Sequence, residues 1–194
     1  MDVALVSSLV VLTNPGAFEV LPGVALSTWK NPFARLVLRD GLHQVETVAY
    51  APEHMQEALV AQIILQEHYG QEATFQPHLE ASTEELVSTR SDAVLVVGKD
   101  APLFSSDALV LDLGQEWFEL SGYPMVWGLF VTRNDEATTE QVTALREVVR
   151  TAEERRAIAH RLVERLQDLE LRPHLPDHPR QWTLRPLRSG EVGL

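Results

Sequence analysis

Short apolar runs and helical stripes alternate along the chain. Residues 2–8 (DVALVSS) are almost continuously apolar and close on Ser7-Ser8, the pattern of a parallel strand covered on both faces. Asn14-Pro15-Gly16 marks a turn, and Pro22-Gly23 separates two short extended pieces at 17–21 and 24–27. Strands are predicted at 34–39 (ARLVLR) and 46–50 (ETVAY). Pro52 suits the first turn of a helix, where the N–H it lacks has no intrahelical partner. Met55, Ala58, Leu59, Ile63 and Leu65 give that helix an apolar stripe, and Gly70 is a natural stop.

A short strand is predicted at 73–76. Ser82-Thr83-Glu84-Glu85 then offers capping residues for a short helix ending at Ser88. Residues 91–98 (SDAVLVVG) are the clearest buried parallel strand, and 108–111 (ALVL) form another. A helix starts at Asp112 or Gly114 and stops at Gly122, with Pro124 just beyond. Residues 125–131 re-enter a sheet. Residues 138–171 are helical, as one helix or two, until the prolines of 172–179 break the pattern; 181–187 suit a terminal strand. This order predicts the α/β class with a mostly parallel or mixed sheet.

Composition narrows the function classes. At 45% hydrophobic and 23% charged residues the chain is globular rather than disordered. Its apolar runs fall short of the ~20 residues that cross a bilayer, so no membrane partner is expected. The run at 3–12 is not preceded by basic residues, so it does not read as a signal peptide, and a cytoplasmic protein is expected. A net charge of −12 disfavours nucleic acid. A small anionic ligand is still compatible, because a local site need not follow global charge. With no cysteine there is no disulfide, thiolate metal site or thiol nucleophile. His174 and His178 are four apart, but the surrounding prolines preclude the helix that would align them on a metal.

Three stretches can carry chemistry. Ser7 and Ser8 end a strand, and in open α/β sheets ligands bind outside the carboxyl ends of strands; a serine-capped turn explains them equally. Residues 52–57 open a helix whose free N–H groups suit an anion. Glu53 and Glu57 oppose an anion there and also stabilise the helix start by themselves. Gly98-Lys99-Asp100 follows the best strand. Gly98 permits close backbone approach, Lys99 can pair with an anion, and Asp100 can accept a proton; a capped βα turn is the alternative.

The segment 112–133 (DLGQEWFELSGYPMVWGLFVTR) resembles the signature of the futalosine-pathway menaquinone enzymes, above all the chorismate dehydratase type. DVALVSS at 2–8, the pairs Asn14-Pro15 and Leu21-Pro22, and VLVVGKDA at 94–101 are similar to further pieces of that family in the same order. The resemblance covers about residues 2–133. It implies a two-lobed fold of the type 2 periplasmic-binding-protein kind. Residues 1–39 and 125–194 would form a first lobe with C-terminal helices, and 40–124 the second. The family carries an N-terminal strand–helix portion ahead of the DVALVSS strand, so the first lobe is expected to be incomplete here. An open sheet edge of that kind could pair with another chain, and a homo-oligomer is one expectation.

The resemblance implies loss of water from chorismate to give 3-[(1-carboxyvinyl)oxy]benzoate, with no metal or organic cofactor. The pathway's cyclic dehypoxanthine futalosine-cleaving enzyme is an alternative within the family. A non-catalytic small-carboxylate-binding module of the same fold is another. Ser7 and Ser8 would face the substrate from one lobe, and residues 52–57 and 98–100 from the other. Where the family has a Thr-Ser pair opening the second-lobe helix, this chain has Gln56-Glu57. The candidates are therefore Ser7, Ser8, Gln56, Gly98 and Lys99 for substrate binding, and His54 or Asp100 for proton transfer.

Overall fold

The computed structural model describes residues 3–79, 81–101, 108–133, 136–168 and 183–185. They form a mixed α/β protein with two compact units, Met1–Ser27 with Val126–Leu194 and Thr28–Met125. The chain therefore passes between them twice. The expected boundary after residue 39 falls instead at residue 27. The reason is strand β3 (Ala34–Leu38), which pairs with β6 (Ala93–Val97) and β7 (Leu109–Asp112) and so belongs to the second unit.

The first unit contains a sheet in the order β1-β8-β2-β9. Strand β1 (Ala4–Ser7) lies at its edge and pairs antiparallel with β8 (Met125–Arg133), Ala4 opposite Val131 and Ser7 opposite Gly128. The fully covered parallel strand expected at 2–8 is thus an antiparallel edge strand, with Leu5 49% exposed. Helix α1 (Ser8–Thr13) follows at once; the sequence pattern did not reveal it. Strand β2 (Phe18–Thr28) runs unbroken through Pro22-Gly23. Pro22 precedes Ala25–Ser27, where β2 pairs with β9 (Thr183–Arg185), so its missing N–H removes no bond from that ladder. Leu21 and Val24 pack against Leu145 and Val149 of the long helix α5 (Thr139–Asp168), with Val142 and Phe130 alongside. His174, His178 and the 172–179 segment lie outside the described residues.

The second unit is built on a mixed sheet, order β5-β4-β6-β3-β7. Strand β4 (Thr47–Tyr50) is parallel to β5 (Thr74–Pro77) and β6, whereas β3 is antiparallel to β6 and β7. Register decides the two faces. Val37 stands opposite Val94 and Val110, and Val94 opposite Ala49; with Val96 these pack against Leu86 of helix α3 (Thr83–Ser88). Leu36, Leu95 and Leu111 are one register position away and must face the other side. There helix α2 (Met55–Ile63) meets β6, and helix α4 (Leu113–Ser121) meets β3 and α2.

Local chemistry closes these helices as their sequences suggest. Ser82 and Glu85 form the reciprocal capping box that starts α3. The Arg39 guanidinium takes up the carbonyls of Val87 in its last turn and of Thr89 and Ser91 just past its end. Helix α2 departs from expectation in its stripe. Ala58, Val60, Ala61, Ile64 and Leu65 are buried, while Met55 and Leu59 are 52% and 41% exposed. The small alanines let the helix lie close to its neighbours, and the larger residues are left outside. Its last turn, Ile64–His68, widens to a π-helix.

Asp92 joins β4 to β6. One carboxylate oxygen accepts from the N–H of Glu46 (3.1 Å), the N–H of Thr47 (2.8 Å) and the Thr47 hydroxyl (2.8 Å). These bonds, that of the Thr47 hydroxyl first, hold the Asp92 carboxyl below the usual aspartate range against the opposing effect of burial. A depressed folded value means that the contribution is complete above the unfolded value of about 3.9 and disappears as pH falls through the folded one. Asp92→Ala should therefore cost about 1–2 kcal/mol at pH 7, and the cost should shrink in acid below about pH 4. Urea midpoints of both proteins at pH 7 and pH 3 check this; an equal difference at both pH values would count against it.

Candidate functional site

Strands β4 and β6 are parallel neighbours, so their carboxyl ends lie at the same end of the second unit's sheet. After Tyr50 the chain enters a short 3-10 turn, Pro52–His54, and then α2. Pro52 stands at the start of this turn and the His54 N–H closes it on the Ala51 carbonyl at 2.9 Å. His54 and Gln56 are both half-buried. After Val97 the chain turns through Gly98, whose φ of +101° favours glycine. The Gly98 N–H donates to the Phe33 carbonyl (2.8 Å), and its own carbonyl accepts from Ala101 (3.2 Å). Lys99 is exposed and Asp100 half-buried. The fold thus brings His54, Gln56, Gly98, Lys99 and Asp100 to one strand-end region of one unit. Together they offer an imidazole, an amide, an ammonium, a carboxylate and the first N–H groups of α2.

Ser7 and Ser8 belong to the first unit. Ser7 is the N-cap of α1 and accepts from the Val10 N–H at 3.3 Å. The Ser8 hydroxyl donates to the Val126 carbonyl at 2.8 Å, tying α1 to β8. Both serines thus have local structural roles as well as their position at a strand end.

The 112–133 signature has a clear mechanical meaning. Asp112 Oδ1 accepts from the N–H groups of Gly114 (3.0 Å) and Gln115 (3.1 Å), capping α4. The same oxygen accepts from the N–H of buried Asn31 at 2.6 Å. A Cβ on Gly114 would stand 2.7 Å from the Asn31 nitrogen and 2.8 Å from the Lys30 carbonyl carbon. The Asp-Leu-Gly sequence therefore holds the 28–33 segment tightly against the start of α4. Trp29 packs on Phe118 of that helix, ring centroids 5.3 Å apart. Gly122 ends α4 in the left-handed conformation, releasing the chain toward β8.

A second group was not found from sequence. The Tyr69 hydroxyl donates to Glu116 Oε2 of α4 at 2.5 Å. Burial, then the Glu116 carboxylate, pushes the Tyr69 phenol far up. Burial also raises the Glu116 carboxyl, while the Tyr69 bond opposes that rise. Only the i,i+3 spacing of Glu116 and Glu119 was visible in the sequence; that His68 and Tyr69 meet them depends on the tertiary fold.

The family model for menaquinone biosynthesis matches residues 1–184. Protein AF1704 of Archaeoglobus fulgidus has a similar fold, with a TM-score of 0.52 at 16% identity, covering 82% of this chain and 58% of that one. The chain therefore spans 58% of that protein's length. A chain of the ATP phosphoribosyl transferase complex from Thermotoga maritima gives a TM-score of 0.41 at 14% identity, covering 78% of this chain and 69% of that one. No curated protein matches the chain. The match over nearly the whole sequence settles the affiliation that the signature segments implied: the chain belongs to the menaquinone-biosynthesis family.

Proposed function

We propose that the protein is a chorismate dehydratase-type lyase, making 3-[(1-carboxyvinyl)oxy]benzoate from chorismate on a two-lobed fold of the periplasmic-binding-protein kind. The supporting observation is the family match over residues 1–184, which the signature segments of the sequence accompany. The strand-end region of the second unit holds groups suited to the reaction. A base removes a ring proton of chorismate. The electrons of that C–H bond enter the ring, the C–O bond of the ring hydroxyl breaks, and the hydroxyl departs as water once protonated. The ring becomes aromatic, which drives the step forward. His54 or Asp100 serves as the proton carrier, and imidazole is the side chain most at home in proton transfer near neutral pH. Gln56, Lys99 and the N–H groups at the start of α2 orient the carboxylates, and Gly98 leaves room for close approach.

One observation favours a second reading. Glu57 lies in the first turn of α2, beside Gln56, and repels a dianion there. A non-catalytic module for a smaller carboxylate fits that charge better. Incubation of the purified protein with saturating chorismate, followed by proton NMR, separates the readings. Appearance of the enolpyruvyl benzoate supports the lyase. Binding without product refutes it and favours the module. If chorismate neither binds nor reacts, the lyase reading is likewise refuted, and turnover of cyclic dehypoxanthine futalosine becomes the alternative to assay.

A further inference from the structure

We propose that His68, Glu116 and Glu119 form a site for one divalent transition-metal ion, Zn2+ by donor chemistry. One imidazole nitrogen and one oxygen from each carboxylate lie within 4.8 Å of one another. The donors come from two elements. Glu116 and Glu119 are three apart on α4 and share a face of that helix. His68 comes from the wide turn that ends the α2 segment.

That wide turn has a geometric consequence. It closes with the Gly70 N–H on the Gln66 carbonyl (3.1 Å) and the Gln71 N–H on the Leu65 carbonyl (2.8 Å). An extra residue in a helical turn rotates the side chains that follow by about 100°. In this turn His68 and Tyr69 both reach α4.

The surroundings resemble the outer shell of a metal site. Tyr69 donates to Glu116 Oε2 and Gln115 Nε2 donates to Glu119 Oε1 (2.8 Å). Each bond fixes a carboxylate and leaves its other oxygen to face a ligand. Glu116 is only 8% exposed, and a second carboxylate stands beside it. Two carboxylates sharing a partly dry site call for a cation. Tetrahedral bonds of about 2.0–2.1 Å place donors roughly 3.4 Å apart. His68 and Glu119 are exposed, and a small side-chain shift closes that short distance. A nitrogen and two carboxylate oxygens, with a fourth position for water, suit Zn2+ better than Mg2+ or Ca2+, which favour all-oxygen sets.

The test is Zn2+ titration of the tag-free full chain by calorimetry, with Co2+ absorption as a second readout. One equivalent should bind the wild type. His68→Ala and Glu119→Gln each change an exposed side chain and should weaken binding about tenfold or more. They should also abolish the visible bands of tetrahedral Co2+, while circular dichroism stays unchanged. A His174→Ala/His178→Ala double variant should bind as the wild type does. Absence of Zn2+ binding to the wild type, equal binding by His68→Ala, or loss of binding in the His174/His178 variant would each overturn the assignment.

Discussion

Asp112→Ala should lower the unfolding free energy by about 3 kcal/mol. Two effects add. The helix loses an N-cap carboxylate that accepts from Gly114 and Gln115, which alone is worth about 1 kcal/mol. The Asn31 N–H, on a residue 3% exposed, also loses its acceptor, and a buried unsatisfied donor costs about 1–3 kcal/mol. Asp112→Asn should fall between the two proteins, since an amide oxygen still accepts but carries no charge toward the helix start. Urea unfolding at neutral pH measures all three. A loss below about 0.5 kcal/mol for the alanine variant would show that Asp112 is an ordinary surface residue.

Gly114→Ala should cost a comparable amount, about 2–3 kcal/mol. This glycine is needed for space, because the new methyl would sit 2.7–2.8 Å from backbone atoms of Lys30 and Asn31. Backbone cannot rotate away as a side-chain tip can. Relief requires α4 and the 28–33 segment to separate, which lengthens the Asp112–Asn31 bond. The two substitutions therefore strike one junction, and the double variant should be less destabilised than the sum of the singles. Calorimetry or urea melts of the three variants would check this. Strict additivity would indicate that the close approach and the Asp112 bonds are independent.

This junction also shows how far the sequence could be read. Asp112, Gly122 and the Ser82–Glu85 cap were legible because helix ends are set by local bonds among adjacent residues. Gly114 is a long-range constraint, imposed by a segment some eighty residues earlier, and no local pattern announces it. The same limit explains the strand at 2–8. Its apolar run gave no sign that β8 would pair with it antiparallel on one side only. Helix α1 was hidden by its own residues, since Leu, Val, Val, Leu and Thr are as good in a strand, and only the Ser7 cap distinguishes it. In α2 the large residues Met55 and Leu59 misled, because small alanines occupy the close contacts. That residues 52–57 and 98–100 follow the ends of strands was readable from strand order and turn chemistry. The His68, Tyr69 and Glu116 group was not, because its partners lie 47 residues apart in sequence.

Chorismate turnover by strand-end variants tests the proposed chemistry where it is most exposed. His54→Ala and Asp100→Asn should be assayed beside His43→Ala, which alters an exposed histidine outside that region. At least one of the first two should lose about a hundredfold in kcat, the usual scale for a missing proton carrier, while His43→Ala keeps the wild-type rate. Full activity in both strand-end variants would contradict the placement of the chemistry at the ends of β4 and β6.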